Sequence, residues 1–318
     1  MATERTNVSV GGHTLSLSNL DKVLFPRDGY TKGDLIAYYR SVSEWILPYL
    51  RERPLTLQRW PDGIDKQSFF EKHLPKGLPD WAGRATITSP EGHRAKTTYV
   101  VCNDEATLVY VANLASIVLH VWTSRIETIE EPDYVFFDLD PGERCTIKTM
   151  AAVALGVRDL LASIGLTTLV KTSGGMGLHV VVPLASGYTY DAAKMFAEIV
   201  AQRLAHEDPA RISLQRSVAK RDQQAVYFDY LQVGRGKTSV SAYSVRARDG
   251  APVSTPLAWE EVEAFARKRS GTPWDTFAAF NLRTTPKRLE REGDLWGGKA
   301  WKKQRLEPAI SKAQRAWS

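Results

Sequence analysis

Three aspartates carry the chemistry this sequence offers. Asp138 and Asp140 stand two residues apart in DYVFFDLDPG (133–142), and Asp229 lies in AVYFDYLQ (225–232) between Phe228 and Tyr230. Side chains alternate along a strand, so Asp138 and Asp140 point to one face, with about 6.6–7 Å of rise between them. Two carboxylates ending so apolar a run repel each other, and an ionised acid in such a strand needs a partner. Three hard oxygen ligands from two strands suit Mg2+ or Mn2+, with phosphate oxygens and water completing an octahedron. In a two-metal site one ion activates the attacking oxygen and the other steadies the leaving one. The same residues admit plainer roles. Asp140-Pro141-Gly142 is a turn sequence in which Asp140 caps its own backbone, and Asp138 and Asp229 can each pair with an Arg or Lys.

Two further stretches point at anions. KTSGGMGLHVVVPL (171–184) joins two strand-like runs through GGMG, a hairpin signal. Gly174, Gly175 and Gly177 allow a tight turn whose N–H groups face an anion, Ser173 adds a hydroxyl, and His179 is the polar residue of a buried strand. The alternative is a glycine hairpin with a core histidine, because the pattern is neither a Walker A loop nor a dinucleotide fingerprint. GRGKTSVSAYSVRAR (234–248) reads as a strand with Arg246 and Arg248 on one face, suited either to bidentate phosphate contact or to a charged edge strand.

The elements that must hold these residues are mixed. TKGDLIAYYRSVSEWILPYL (31–50) reads as one helix with Thr31 as N-cap and Asp34 as its capping-box partner. Residues 53–120 read as strands and loops, 147–165 and 191–207 as helices, and the chain beyond 255 as mostly helical. Strands and helices do not alternate strictly, so the expected class is α+β, with a boundary near residue 130.

Composition sets the outer limits. The 318 residues are 43% hydrophobic and 25% charged, with net charge +6, a basic balance compatible with nucleic acid. Cys102 and Cys145 are the only cysteines, and neither sits in a zinc or disulfide-scaffold spacing, which fits a reducing, cytoplasmic setting. The first twenty residues lack the apolar core of a signal peptide, and no run has the length of a membrane span. No internal repeat or low-complexity tract is present.

Taken together and in order, these stretches resemble a known family. The DLDP strand, the SGGMGLHVVVPL hairpin, the FDYLQ strand and VSAYSVRARDGAPVSTPL are similar to the archaeo-eukaryotic primase superfamily. The strongest likeness is to the polymerase domain of bacterial ligase D, used in non-homologous end joining. LSNLDKVLFPRDGYTKGDLIAYY and RPLTLQRWPDGIDKQSFFEKHLP match the same group, so the resemblance runs from about residue 14 to beyond 257.

The resemblance implies a primase-polymerase fold: a central RRM-like antiparallel sheet carrying the acids, packed with helices, and an N-terminal α/β lobe. Residues 1–130 would form the lobe for 5′-phosphate and template, residues 131–318 the catalytic lobe, and the two together one compact module. Asp138, Asp140 and Asp229 would be the catalytic, metal-binding triad of a template-dependent nucleotidyltransferase. Ser173 and His179 would contact the incoming triphosphate, Gln232 and Arg246 the nucleotide, and His120 the ribose. Lys220 or Arg221 would add a phosphate contact. Lys22 and Lys32 match the pocket for a downstream 5′-phosphate, and Phe69 and Phe70 match aromatics that stack on template bases.

The implied cofactors are two divalent cations, Mn2+ favoured over Mg2+. The implied partners are NTPs or dNTPs, gapped or broken duplex DNA, and a DNA ligase or end-binding repair protein, with no membrane. Two positions depart from the family pattern: Met176 replaces a triphosphate lysine, and Gln58, followed by Arg59, replaces a phosphate-binding lysine. The chain carries no ligase or nuclease segment, which is expected of a free-standing relative that fills short gaps in excision repair. The rivals are a metal-dependent nuclease, a non-catalytic nucleic-acid binder and, within the family, a primase that starts strands without a primer.

Overall fold

The computed structural model describes residues 5–88 and 96–316. The first stretch runs through β1 (Arg5–Val10), β2 (His13–Ser18), β3 (Val23–Phe25), β4 (Tyr30–Thr31), α1 (Lys32–Ser41) and α2 (Ser43–Leu50). It continues with β5 (Pro54–Arg59), β6 (Phe69–Glu71), β7 (Gly83–Thr88), β8 (Lys96–Val101), α3 (Glu105–Asn113) and β9 (Ser116–Trp122). The middle holds β10 (Tyr134–Pro141), α4 (Ile147–Ser163), β11 (Leu169–Thr172), β12 (Leu178–Pro183), α5 (Tyr190–Glu207), β13 (Ile212–Ser213) and β14 (Val226–Asp229). After it come β15 (Thr238–Val240), β16 (Pro256–Leu257), α6 (Trp259–Ala266), α7 (Pro273–Phe277), α8 (Thr284–Glu292) and α9 (Glu307–Ala316).

These elements form two units, and the chain passes between them repeatedly. Unit 1 comprises Met1–Glu127, Thr238–Ser254 and Phe280–Gly293, and unit 2 comprises Thr128–Lys237, Thr255–Ala279 and Asp294–Ser318. Unit 1 is built on a sheet of order β15-β9-β5-β8-β7, with β6 paired to β5. Unit 2 is built on a sheet of order β13-β14-β10-β12-β11-β16, antiparallel except for the parallel β13–β14 pair. Within it, the path β10-α4-β11-β12-α5-β14 with spatial order β14-β10-β12-β11 is the split βαβ arrangement of an RRM. The α+β class and the RRM-like sheet are those the sequence implied.

Alternation decides which face of that sheet is which. Phe137 meets Phe196 of α5 and Phe228 of β14, at ring-centroid distances of 6.4 and 5.5 Å, so the odd positions of β10 face the helices. Tyr134, Phe136, Asp138 and Asp140 therefore share the opposite face. Among the described residues no helix is long and apolar enough to cross a membrane.

Three local expectations need correction. The helix expected over 31–50 is interrupted at Val42. Its capping box is present, with Thr31 Oγ1 accepting from the Asp34 N–H at 3.2 Å and Asp34 Oδ2 accepting from the Thr31 N–H at 2.8 Å. At the other end the Ser41 hydroxyl donates back to Tyr38 O at 2.8 Å, and Pro48 withholds a donor from α2. Second, the 53–120 stretch contains helix α3, started by Asp104, whose carboxylate accepts from the Thr107 N–H at 2.7 Å. Residues 89–95 of that stretch lie outside the described residues.

Third, the strand expected over 238–248 stops at Val240, so Arg246 and Arg248 do not share a strand face. Tyr243 there has φ +63°. Buried side chains take over the backbone partners. Tyr38 donates to Tyr243 O at 2.7 Å, Tyr39 accepts from the Val245 N–H at 3.2 Å, and Ser244 Oγ accepts from the Leu119 N–H at 2.9 Å. Tertiary hydrogen bonds override the alternating pattern.

Candidate active site

The acidic face of unit 2 is fixed by register. Asp138 of β10 lies directly opposite Asp229 of β14, and Asp140 lies opposite Tyr227. Opposed residues of an antiparallel pair project to one face with Cβ atoms about 4.5–5.5 Å apart, so Asp138, Asp140 and Asp229 form one acidic cluster. On the other side of β10, Asp138 lies opposite His179, which in turn lies opposite Lys171. A single row across four strands thus reads Asp229, Asp138, His179, Lys171.

The neighbours of this row hold the carboxylates in place. His179 Nε2 lies 3.2 Å from Asp138 Oδ1, with the histidine side chain almost fully buried and the aspartate about one-fifth exposed. Asp229 Oδ1 accepts from the Leu231 N–H at 3.0 Å, and Oδ2 accepts from Gln232 Nε2 at 2.9 Å. The Arg221 guanidinium stacks on Tyr227, 3.5 Å from the ring centroid. Burial pushes the Tyr227 hydroxyl pKa up, and the charges of Asp229 and, more weakly, Asp140 add to this against the pull of Arg221 and Arg216.

The glycine turn behaves differently from an open anion nest. The N–H groups of Gly175 and Gly177 donate inward to Ser173 Oγ, at 3.2 and 3.1 Å, and the Ser173 N–H donates to Gly177 O at 2.9 Å. Gly174 has φ +71°, which supplies the turn. Gly177 is required for closeness. A Cβ there would lie 2.6 Å from Leu139 O and 3.3 Å from both Asp140 Oδ1 and Ser173 Oγ. The hairpin therefore packs directly beside Asp140, and Ser173 orders it from within.

Three carboxylates on one sheet face are the hard oxygen donors a small divalent cation takes, and their mutual repulsion is what such a charge relieves. Among the described residues no three His, Cys, Asp or Glu side chains are already closed into a cage. Asp138 and Asp229 instead face the partners just described. The donor set fits the group.

Unit 1 holds the remaining residues singled out in the sequence. His120 of β9 shares a 3.3 Å hydrogen bond between Nε2 and Gln58 Oε1 of β5, and its ring lies 5.7 Å from that of Phe70. Phe69 and Phe70 are 43% and 59% exposed on β6, which excludes a core role for either. Arg59 stacks on Phe69 at 5.2 Å and pairs with Glu71 at 2.8 Å. Lys22 meets Asp62 at 2.6 Å and lines a pocket with Thr6, Asn19, Leu20 and Asp21. Lys32 is buried, donating to Asn113 O at 3.0 Å and Ser18 Oγ at 3.4 Å. Burial, and secondarily the charge of Lys22, lower its pKa to about 8. The Arg246 backbone N–H donates to Pro252 O at 2.7 Å.

The description "LigD, primase-polymerase domain" belongs to a family model that matches residues 31–296. The chain belongs to the LigD primase-polymerase domain family. It is 37% identical over 265 residues to the multifunctional non-homologous end joining DNA repair protein LigD of Mycobacterium tuberculosis, covering 80% of this chain and 34% of that protein. It is 31% identical over 280 residues to the bifunctional LigD of Bacillus subtilis, covering 88% and 43%. The chain thus spans about a third to two-fifths of these relatives. The polymerase domain of Mycobacterium tuberculosis ligase D in complex with DNA is similar in structure, with TM-score 0.79 and 34% identity over 89% of this chain and 96% of that one.

The LigD primase-polymerase family is one of DNA-directed nucleotidyltransferases, a chemistry generally dependent on divalent metal. Of the family-matched residues, unit 2 brings together Asp138, Asp140, Asp229, Ser173, His179 and Gln232. Lys220 lies apart in a short 3-10 turn, on a groove with Arg216, Gln215 and Asp222. Residue-type reasoning missed Tyr227 and Lys171. Tyr227 was readable as the i−2 neighbour of Asp229, whereas Lys171 enters the row only through the register of β11 on β12.

Proposed function

We propose that this chain is a template-dependent nucleotidyltransferase that fills short gaps or extends ends in DNA repair, using NTPs or dNTPs. The opposed pair Asp138 and Asp229, with Asp140 two residues along the same face, is the observation that carries this reading. When bound by the three aspartates, two divalent cations, Mn2+ in preference to Mg2+, would offset charge at the attacking 3′-oxygen and at the departing pyrophosphate. The primer 3′-oxygen forms the new bond to the α-phosphorus, the α–β phosphoanhydride breaks, and the hydroxyl proton leaves to solvent.

The chain's own residues orient this exchange. His179 holds Asp138, and the Leu231 N–H with the Gln232 amide holds both oxygens of Asp229. Ser173 keeps the hairpin closed against Asp140, and the family resemblance makes Ser173 and His179 the residues proposed to contact the triphosphate. With Met176 in place of a lysine, Lys220 or Arg221 is the basic group proposed to add a phosphate contact, and Arg221 is the one stacked on Tyr227 beside the aspartates. On the same resemblance His120 and Arg246 would meet the nucleotide, Lys22 and Lys32 would hold the downstream 5′-phosphate, and Phe69 and Phe70 would stack on template bases. A ligase or end-binding protein would complete the repair, in the bacterial cytoplasm.

The test is nucleotide addition to a short-gapped duplex with a templating T, supplied with ATP or dATP and Mn2+. Templated addition by wild type and its loss in Asp138→Ala/Asp140→Ala is the expected result. Degradation of DNA without nucleotide would replace the reading with a nuclease. Binding without turnover, kept or tightened in the double variant, would replace it with a non-catalytic binder. Addition without a primer would make it a primase.

A further inference from the structure

The sheet face that carries the aspartates has a second feature at the far end of β10. Trp301 sits edge-on against Tyr134, 5.7 Å between centroids, and Tyr134 contacts Phe136 at 6.3 Å, which contacts His179 at 5.4 Å. Trp301, in the segment after Asp294, therefore packs on the acidic face, not on the helical one. Tyr134 is four residues from Asp138, about 13 Å along the strand.

That segment is held firmly from below. Trp296 Nε1 donates to Val170 O at 3.0 Å. Gln304 forms a parallel bridge with Leu184, receives the Ala185 N–H at 2.8 Å, and clasps Thr167 through both ends of its amide, at 2.7 and 2.8 Å. The Leu306 N–H donates to Tyr188 Oη at 2.8 Å. Trp296 and Leu306 are buried, whereas Lys299, Lys302, Lys303 and Arg305 between them are exposed.

Charge sorts the same way. From Asp294 to Ser318 there are six basic residues and two acidic ones. Arg305 stands 3.7 Å from Glu307, while Lys299, Lys302, Lys303 and Lys312 have no ion-pair partner among the described residues. Exposed ammonium groups on a ledge of backbone held in this way attract a polyanion. The ledge also lies beyond residue 296, where the family match ends.

We propose that this ledge, Lys299, Lys302 and Lys303, binds the phosphate backbone of duplex DNA whose end lies at the aspartates. The inference rests on the polymerase reading above, which supplies the polyanion. A duplex entering the acidic face along β10 meets the ledge about four base pairs from the reacting end, at 3.4 Å per pair. The contacts are to phosphate alone, so they position the duplex without reading its sequence.

The experiment measures binding of a fluorescently labelled gapped duplex across about 50–200 mM salt. It compares wild type, the ledge variant (Lys299→Ala, Lys302→Ala, Lys303→Ala) and a charge-matched control. The control carries Lys148→Ala, Lys194→Ala and Arg267→Ala, exposed positions on or beside α4, α5 and α6. Each lost phosphate contact flattens the slope of log K against log salt by about 0.9, so the ledge variant is expected to flatten by about 2–3 and the control by less than about 1. At saturating DNA the ledge variant is expected to add nucleotides at the wild-type rate. Equal slopes in ledge variant and wild type, equal flattening in ledge variant and control, or loss of addition at saturating DNA would each overturn the ledge. A wild type that binds duplex with the expected slopes but adds no nucleotide refutes the polymerase reading instead, and leaves the ledge standing.

Discussion

Lys32 makes the proposed 5′-phosphate pocket sensitive to pH. Its pKa of about 8 arises mainly from burial, with Lys22 adding repulsion. The fraction charged in the free protein is therefore about 0.9 at pH 7 and about 0.1 at pH 9, whereas an ordinary lysine stays charged throughout. A terminal phosphate is already a dianion above pH 7. Under limiting DNA, where the rate reports the free enzyme, stimulation by a downstream 5′-phosphate over a 5′-hydroxyl should fall several-fold between pH 7 and 9. Lys32→Arg, which keeps its charge, should hold the stimulation at pH 9, and Lys32→Met should remove it at pH 7. Gap filling with paired 5′-phosphate and 5′-hydroxyl substrates measures the ratio. A ratio constant from pH 7 to 9.5 in wild type, or stimulation surviving in Lys32→Met, would refute the assignment. The sign for stability is separate. The unfolded chain binds the Lys32 proton more tightly than the folded one, so this group's contribution to stability rises with pH between about 8 and 10.5.

Gly177→Ala should drive a Cβ to 2.6 Å from Leu139 O, costing about 1–3 kcal/mol in thermal unfolding and impairing addition through Asp140. Unchanged stability would show that β12 can shift. Phe69→Ala/Phe70→Ala removes two exposed rings, so stability should change by less than about 1 kcal/mol, while template affinity falls by about 1–3 kcal/mol per lost stack in a binding titration. A cycle with a shortened template overhang separates stacking from loss of the Arg59 and His120 contacts.

How much of this was legible in the sequence depends on how local each determinant is. The acidic strand was readable because a period of two places Asp138 and Asp140 together whatever the fold, and the Thr31 capping box declared itself within four residues. The 238–248 stretch was not readable. Its alternating pattern reads as a strand, yet Tyr38 and Tyr39, about 200 positions upstream, supply the bonds that turn it away after Val240. Helix α3 hid for the opposite reason. Its residues, EATLVYVAN, are apolar almost all round because the helix is nearly fully buried, so no amphipathic stripe marks it, and only the Asp104 cap gives it away.

The same distinction separates the acids from what holds them. A carboxylate triad can be guessed from residue types, but Asp138 meets Asp229 on one side and His179 on the other only if three strands adopt one register out of several. A slip of one residue in β14 would send Asp229 to the helical face and leave Phe228 opposite Asp138. Glycine at 177 and the Ser173 hydroxyl fix the hairpin end of β12, and Phe137 locked between Phe196 and Phe228 fixes β10 against β14 and α5. The apolar half of DYVFFDLDPG is therefore part of the site: its odd positions set the register that its even positions use.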